Sequence, residues 1–153
     1  MYIRKLLDDE YEKVIELIYE CVHAVCRCDY TDAELFAWAP EKFDTNRFRA
    51  ALDGCFNIVM IHREKIIGFL SMESDGYINR LYTHKNFLRQ GIATKLLAKA
   101  EEYAKEHKVY ELRLDSSKTA EPFYIKHGFT ESGVSVSKHN GVIFRNKIMK
   151  KYL

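Results

Sequence analysis

The stretch from Tyr77 to Lys108 contains the residue pattern with the clearest chemical meaning in this chain. A strand-like segment ends in a short polar loop, and the loop leads through Arg89-Gln90-Gly91-Ile92-Ala93 into a long amphipathic helix. The first amide N–H groups of a helix have no intrahelical partner and lie at the positive end of its dipole. Gly91 allows close approach of an oxygen to the backbone, and Arg89 adds a full positive charge. The junction therefore predicts a phosphate-binding site.

Composition limits the class of protein that carries this junction. The chain has 153 residues, of which 47% are hydrophobic and 30% charged, and its net charge is +2. These values are typical of one globular domain, here residues 1–153, and the small net charge argues against a nucleic-acid partner. No apolar run has the length of a membrane span or the form of a signal peptide. We therefore expect a cytoplasmic protein with no membrane partner.

The cysteines raise the question of a metal site. Three of them, Cys21, Cys26 and Cys28, lie close together in the sequence with His23 between them, and Cys55 is separate. Their C-x4-C-x-C spacing does not match the ligand spacing of zinc sites, which usually contain C-x2-C pairs. We expect reduced thiols and no metal.

Hydrophobic periodicity predicts a chain that mixes helices and strands. A capping-box spacing places helix starts at Asp9, with Glu12, and at Thr31, with Glu34, while Pro40 ends the second helix and Gly128 caps the last. The first helix is expected to bury Val14, Leu17, Ile18, Cys21, Val22 and Val25, and the helix after Gly91 to bury Ile92, Leu96, Leu97, Ala100 and Ala104. The predicted strands are 2–7, 56–62, 65–73, 77–84, 110–115, 129–136 and 142–149, and the other helices are 45–52 and 119–127.

Two sequence blocks resemble the GNAT superfamily of N-acetyltransferases. The first is Leu81-Tyr82-Thr83 with the loop to Gly91-Ile92-Ala93, although Leu88 stands where the family has Gln or Arg. The second is the run Ala120-Glu121-Pro122-Phe123-Tyr124-Ile125-Lys126-His127-Gly128-Phe129, preceded by Ser117 where many members have Asn. Three further features, Ala37-Trp38-Ala39-Pro40, Glu73 before Asp75-Gly76-Tyr77-Ile78, and Asn146, resemble the bacterial YafP-type branch.

The resemblance implies a fold and a reaction. The fold is α+β, with a largely antiparallel central sheet flanked by helices and with splayed central strands that bind acetyl-CoA. The reaction is direct transfer of the acetyl group to an amine while both are bound. The implied cofactor-binding residues are Leu81, Tyr82, Thr83, Arg89, Gln90, Gly91, Ile92, Ala93, Thr94, Ser117, Ala120 and Phe123.

Transfer to an amine needs two proton movements. An alkyl ammonium group must lose a proton before it attacks, and a thiolate leaving group must gain one. Tyr124 occupies the family's general-acid position. Glu73 is the predicted base, directly or through water, with partial burial by Met72 and Tyr77 expected to raise its pKa.

The predicted acceptor pocket lies between the helices of residues 10–53 and the late strands. Tyr30 and Trp38 are its candidate lining residues, together with Phe36 and Phe43. The identity of the amine stays open at this point. So does the oligomeric state, either a monomer or a homodimer formed by edge strands.

Two alternatives remain beside this prediction. In the first, Cys21, Cys26 or Cys28 carries the acetyl group after activation by His23. In the second, the chain is a non-catalytic module that binds acetyl-CoA, since Leu88 and Ser117 depart from the family pattern.

Overall fold

The computed structural model describes residues 1–153, which form seven strands and five helices. Short 3₁₀ turns at Cys26–Cys28 and Lys85–Phe87 lie between them. In chain order the elements are β1 Tyr2–Lys5, α1 Tyr11–Val25, α2 Asp32–Trp38, α3 Thr45–Leu52, β2 Phe56–His62, β3 Lys65–Met72, β4 Ile78–Thr83, α4 Ile92–Glu106, β5 Glu111–Ser116, α5 Glu121–Lys126, β6 Thr130–His139 and β7 Val142–Tyr152.

The strands form two antiparallel sections that meet at β4 and β5. Four strands pair in the order β1-β2-β3-β4, and three pair in the order β5-β7-β6. The sections touch through one parallel bridge between Tyr77 and Arg113. The prediction of a mixed α and β fold with a largely antiparallel sheet flanked by helices is confirmed.

Helices cover both faces of the sheet because alternate strand residues point to opposite sides. On one face α1, α2 and α3 pack over a core that includes Val59, Ile61 and Phe69. On the other face α4 and α5 pack over a core that includes Ile58 and Met60. Each face therefore has its own hydrophobic core.

Gly68 on β3 allows α4 to pack close to the sheet. A Cβ atom at this position would lie 2.6 Å from Ile92 Cγ2 and 2.9 Å from Leu96 Cδ1. Ile92 is the first residue of α4, so the position of that helix terminus depends on the missing side chain. The predicted buried residues of α4 are all buried.

The start of α1 differs from the prediction. Its N-cap residue is Glu10, which makes no side-chain cap, so the predicted capping box of Asp9 and Glu12 is wrong. The Glu10 carboxylate instead accepts hydrogen bonds from the Arg4 guanidinium at 2.6 and 2.8 Å and from the Leu7 N–H at 3.0 Å. A partner on β1 thus outcompetes the local cap.

The other helix signals agree better with the structure. Thr31 and Glu34 form the predicted capping box at the start of α2. The predicted buried stripe of α1 is buried except for Val25, which is partly exposed. Gly128 follows α5 with a φ of 90°, as expected for a glycine that ends a helix. No helix combines the length and the apolar composition that crossing a membrane requires.

Candidate active site

The gap between β4 and β5 is the central feature of the candidate site. The strands are parallel neighbours, joined where the Arg113 N–H donates to the Gly76 carbonyl at 3.1 Å. A side chain at Gly76 would clash with the Glu111 carbonyl, so this close contact requires glycine. Beyond the bridge the two strands have no pairing, and they diverge toward their carboxyl ends. The predicted splay of the central strands is therefore present.

A β-bulge in β4 accompanies the divergence. Ser71 of β3 pairs with Arg80 and Met72 pairs with Ile78, so Asn79 is an extra residue on β4. Bulges bend the strand that contains them and increase its twist. This one lies just after the bridge, at the point where β4 leaves β5.

The open edge of β4 offers backbone hydrogen-bonding groups to the gap. The His84 N–H donates to the Ile67 carbonyl at 2.8 Å, and Tyr82 is opposite Phe69. Since bonded and non-bonded positions alternate along an antiparallel pair, the backbone groups of Leu81 and Thr83 face away from β3. The predicted residues 81–83 therefore contribute an unpaired strand edge, with Leu81 and Thr83 facing the gap.

The start of α4 lies at the wide end of the gap. Arg89 and Gly91 both have left-handed backbone conformations, with φ values of 58° and 77°. Gly91 is the N-cap residue and provides no side-chain cap, so the N–H groups of Ile92, Ala93 and Thr94 have no intrahelical partner. A Cβ at Gly91 would meet no atom within 4 Å. Arg89 and Gln90, which precede these donors in the loop, are both exposed.

A hydrogen bond links the first turn of α4 to the end of α5. His127 Nδ1 donates to the Phe123 carbonyl at 2.8 Å, and Nε2 of the same ring lies 3.0 Å from the Thr94 hydroxyl. Phe123 packs against the His127 ring, with 4.1 Å between ring centroids. Thr94 and Phe123, both predicted cofactor residues, are thus held on one side of the gap.

The loop before α5 brings two more predicted residues to this region. The Ala120 N–H donates to the Ser117 hydroxyl at 3.2 Å, and the Glu121 N–H donates to the Ser117 carbonyl at 3.1 Å. Ser117 therefore organises the first turn of α5. Leu88, the departure from the loop pattern, is 41% exposed and makes no polar contact.

Tyr124 on α5 is buried, and its ring packs against Phe123 and Phe129. Its hydroxyl has no hydrogen-bond partner in the protein. Burial, with a smaller contribution from the neighbouring Tyr82, raises the pKa of Tyr124 above the usual range of a phenol. Tyr124 therefore keeps its proton through the neutral pH range.

Tyr82 connects the gap to the helices on the other face of the sheet. Its hydroxyl accepts a hydrogen bond from the Trp38 indole N–H at 3.1 Å, and burial raises the pKa of Tyr82 to about 12. Trp38 also packs edge-on against Tyr30 and Phe144. The predicted acceptor residues Tyr30 and Trp38 thus lie together beside Tyr82.

Tyr30 also joins the helical layer to the loop before α5. Its hydroxyl accepts from the Lys118 N–H at 2.9 Å, and the Thr119 hydroxyl donates to Asp29 at 2.7 Å. These two bonds tie the segment after α1 to the loop after β5. Phe36 and Phe43 lie elsewhere, since Phe36 packs on His23 and Phe43 on Phe48.

Glu73 lies at the opposite end of β4 from Tyr82. It is exposed, and its N–H donates to the Tyr77 carbonyl at 2.8 Å, so the expected partial burial is wrong. Tyr77, just before β4, and Tyr82 are five residues apart, or about 16 Å at 3.3 Å per residue. The structure therefore does not bring Glu73 into direct contact with the Tyr82 and Tyr124 hydroxyls.

Two residues that sequence reasoning missed lie nearer to the gap. Asp115 on β5 pairs with Ile148, on the face of the sheet that α1 and α2 cover, and lies two residues beyond the bridge. Arg80 is on β4, two residues before Tyr82. Only the pairing of strands shows these positions, because neither residue belongs to a local sequence motif.

Cys21 and Cys26 lack the surroundings that activate a thiol. Burial raises the pKa of Cys21 to about 12, and burial also raises the pKa of Cys26. His23, the proposed activating base, has its Nε2 2.7 Å from the Ala39 carbonyl and packs between Tyr19 and Phe36. These contacts argue against Cys21 or Cys26 as a residue that His23 activates to carry the acetyl group.

Comparison with known proteins places this arrangement in context. A family model described as an acetyltransferase (GNAT) domain matches residues 26–153. A protein of Escherichia coli (strain K12), described as the uncharacterized N-acetyltransferase YafP, is 26% identical over 151 residues, which cover 97% of this chain and 93% of that protein.

Solved structures share the fold over nearly the whole chain. A GCN5-related N-acetyltransferase structure from Rhodopseudomonas palustris has a TM-score of 0.95 at 24% identity and covers 99% of this chain and 95% of that one. The PaiA N-acetyltransferase of Thermoplasma acidophilum, solved in complex with coenzyme A, has a TM-score of 0.80 at 23% identity, with coverages of 99% and 98%.

Proposed function

Because this chain belongs to the GNAT acetyltransferase family, we propose that it moves an acetyl group from acetyl-CoA to a primary amine by direct attack while both are bound. The observation that carries the proposal is the unpaired edge of β4 beside the uncapped start of α4. A strand edge and a helix N-terminus suit the two ends of one molecule, an amide-containing arm and a pyrophosphate. A soluble, cytoplasmic enzyme is part of the proposal.

The residues at the start of α4 fit a pyrophosphate. The N–H groups of Ile92, Ala93 and Thr94 supply donors, and Arg89 supplies charge. Acetyl-CoA, when bound, contributes an activated acetyl thioester. Gly91 keeps the approach to the donors open, since no atom lies within 4 Å of its missing side chain.

The edge of β4 aligns the arm that carries the acetyl group. Leu81 and Thr83 present N–H and C=O groups at the spacing of a neighbouring strand. An N–H donor fixed in advance on this edge polarises the thioester carbonyl, as an oxyanion hole does. Ser117, Ala120 and Phe123 line the other side of the gap.

Tyr124 acts as the general acid. Its hydroxyl is protonated at neutral pH and has no partner in the protein, so it is available to a sulfur atom that gains negative charge. A raised pKa makes the tyrosine a weak acid in the resting enzyme. Proton donation therefore follows charge development on the sulfur.

The ammonium group of the acceptor loses its proton to water, and the neutral amine then attacks. Glu73, the predicted base, is exposed and about five residues of strand away from Tyr82, so it acts only through a water chain. Asp115 on β5 is the second carboxylate that water can reach from the gap.

A thiol-release assay with acetyl-CoA across a library of amines tests the proposal. We expect turnover with at least one class of primary amine, together with saturable acetyl-CoA binding measured by calorimetry. Gly91→Glu should lose both signals. Binding without turnover on any amine would instead favour the non-catalytic module, and an absence of binding would refute both.

A further inference from the structure

Arg80 is a partly buried cation without a counter-charge. Three arginines of this chain are partly buried, and two of them pair with carboxylates. Arg4 bonds Glu10 at 2.6 Å and Arg113 bonds Asp75 at 2.5 Å. The Arg80 guanidinium has no carboxylate oxygen within 4.0 Å and makes no hydrogen bond with the protein. Partly buried charges are usually paired, so this exception indicates a partner from outside the chain.

The side chain of Arg80 is held in place by packing. Its guanidinium carbon lies 5.1 Å from the centre of the Phe48 ring on α3. A cation above an aromatic face is stabilised by the ring, yet the N–H donors at its edge stay unused. Phe48 therefore fixes the position of the guanidinium and leaves its hydrogen-bonding capacity available.

Arg80 lies beside the centre where transfer is proposed to occur. It precedes Tyr82 by two residues on β4, so both side chains project from the same face of the sheet, about 7 Å apart along the strand. That face also carries Asp115 on β5, across the gap. A small molecule only a few bonds long can therefore contact Arg80 at one end and extend to Tyr82 at the other.

Two buried polar side chains lie near Arg80 on the neighbouring strands β3 and β2. Ser71, directly opposite Arg80 on β3, is fully buried, and its hydroxyl has no close hydrogen-bond partner beyond a weak interaction with the Cys55 thiol. Asn57, opposite Ser71 on β2, has a buried side-chain oxygen without a partner. A buried hydroxyl without a strong partner is costly, and these two polar atoms make the surroundings of Arg80 within the sheet polar.

We propose that Arg80 binds a carboxylate on the acceptor, so that the substrate class is an amine that also carries a carboxylate, such as an amino acid. The inference rests on the proposed acetyl transfer and names the acceptor of that same site. The planar guanidinium matches a carboxylate with two parallel hydrogen bonds. With its carboxylate on Arg80, such a molecule directs its amine along β4 toward Tyr82.

Paired acceptors test the proposal. The rate of thiol release is measured for an amino acid, for its carboxamide and for the aminoalkyl phosphonate of the same length. We expect Arg80→Met to lower kcat/KM for the carboxylate by about 10- to 100-fold and to change the carboxamide rate by less than about 3-fold, as the loss of a charge-assisted hydrogen bond predicts. Each acceptor is compared between the wild-type enzyme and Arg80→Met, so the different intrinsic reactivities of the two amines do not affect the result. A phosphonate preferred over the carboxylate would overturn the assignment to a carboxylate.

Two further variants serve as controls. Arg80→Lys keeps the charge and should retain a preference for the acid, and Arg145→Met removes an exposed arginine on the opposite face and should change nothing. Binding of the amino acid in the presence of coenzyme A, measured by calorimetry, should weaken in Arg80→Met alone. This readout does not require turnover.

The outcomes separate this inference from the proposed function. The enzyme could turn over amines while Arg80→Met lowers kcat/KM equally for the amino acid and its carboxamide. That result would overturn the role of Arg80 and leave acetyl transfer intact. A preference for polyamines would do the same, and would point to the groove on the outer side of α1 that contains Glu16, Glu20 and Glu41. No turnover with any amine would refute the proposed function itself.

Discussion

The indole N–H of Trp38 donates a hydrogen bond to the hydroxyl of Tyr82 at 3.1 Å, across 44 residues of sequence. The bond joins the end of α2 to the open edge of β4. Because the Tyr82 oxygen accepts from the indole, the phenolic proton is directed away from Trp38. The Tyr82 hydroxyl can therefore donate its proton toward the gap, and Tyr82 is near enough to Tyr124 to raise the pKa of Tyr124.

Replacing Tyr124 by Phe tests the acid. We expect the maximal rate to fall by about 100-fold, within the range that general acid catalysis contributes. Acetyl-CoA affinity should stay within about 2-fold, because the ring and its packing on Phe123 and Phe129 remain. Steady-state kinetics and calorimetry measure the two quantities. Tyr110→Phe, at an exposed position, is the control, and unchanged turnover in Tyr124→Phe would remove the acid assignment.

Gly91→Glu tests the phosphate site. A carboxylate at the start of α4 repels a pyrophosphate, and we expect acetyl-CoA affinity to fall by more than about 100-fold. Gly54→Glu is a matched control, since Gly54 has a φ of 75° against 77° at Gly91 and both have open space around them. The two variants share the backbone strain, so tight binding by Gly91→Glu would place the phosphate site elsewhere.

Gly68→Ala tests the link between packing and binding. The added methyl group lies too close to Ile92 and Leu96, so the free energy of unfolding should fall by about 1–3 kcal/mol. Because Ile92 starts α4, acetyl-CoA affinity should weaken as well. Urea denaturation and calorimetry measure both effects. Gly133→Ala, where the nearest atom is 3.6 Å away, should show neither change.

Glu73→Gln and Asp115→Asn together identify the base. Loss of the true proton acceptor should lower kcat/KM at neutral pH and flatten its rise with pH. We expect the larger effect, about 100-fold, from Glu73→Gln, and a smaller one from Asp115→Asn. Rate profiles from pH 6 to 10 decide between them, and the reverse order would transfer the role to Asp115.

His84 makes stability depend on pH. Its Nδ1 accepts from the Asn86 N–H at 3.1 Å, so the neutral ring carries its proton on Nε2, 3.2 Å from Glu20. Burial, reinforced by Lys65 and Lys85 and opposed by Glu20, lowers the pKa of His84 below its usual value. The unfolded chain therefore binds more protons as pH falls through about 6.5, and the folded state loses stability.

Urea unfolding at pH 7.5 and 5.5 measures this effect. The wild-type protein should lose stability toward pH 5.5 with a slope of at most about 1.4 kcal/mol per pH unit from this residue. His84→Asn keeps an acceptor for the Asn86 N–H and should show a smaller loss. An equal pH dependence in both proteins would assign the effect to other groups, and His139→Asn controls for an exposed histidine.

Sequence reasoning predicted much of the fold because its signals are local. The bounds of β2 and α3 match the structure, as do the capping box of Thr31 and Glu34 and the buried residues of α4. The resemblance to the GNAT family is confirmed, and the YafP protein is among its relatives. Hydrophobic periodicity and helix caps depend on residues a few positions apart, so a single sequence is enough to predict these elements.

What the sequence missed depends on partners from other elements. Glu10 is drawn into a bond with Arg4 on β1, which no cap pattern reveals. Burial of Glu73 was expected from its neighbours in sequence, yet the turn exposes it. Arg80 became a candidate only when strand pairing placed it opposite Ser71 and near Tyr82, with no carboxylate in reach.

The single bridge between Tyr77 and Arg113 makes the sheet incomplete without a ligand. A molecule that lies along β4 would supply hydrogen bonds that β5 does not make, and would act as an added strand between the two sections of the sheet. Ligand that binds only the folded state stabilises it by RT ln(1 + [L]/Kd), about 2.7 kcal/mol at one hundred times Kd. The lifetime of this protein in a cell would then follow the supply of its cosubstrate.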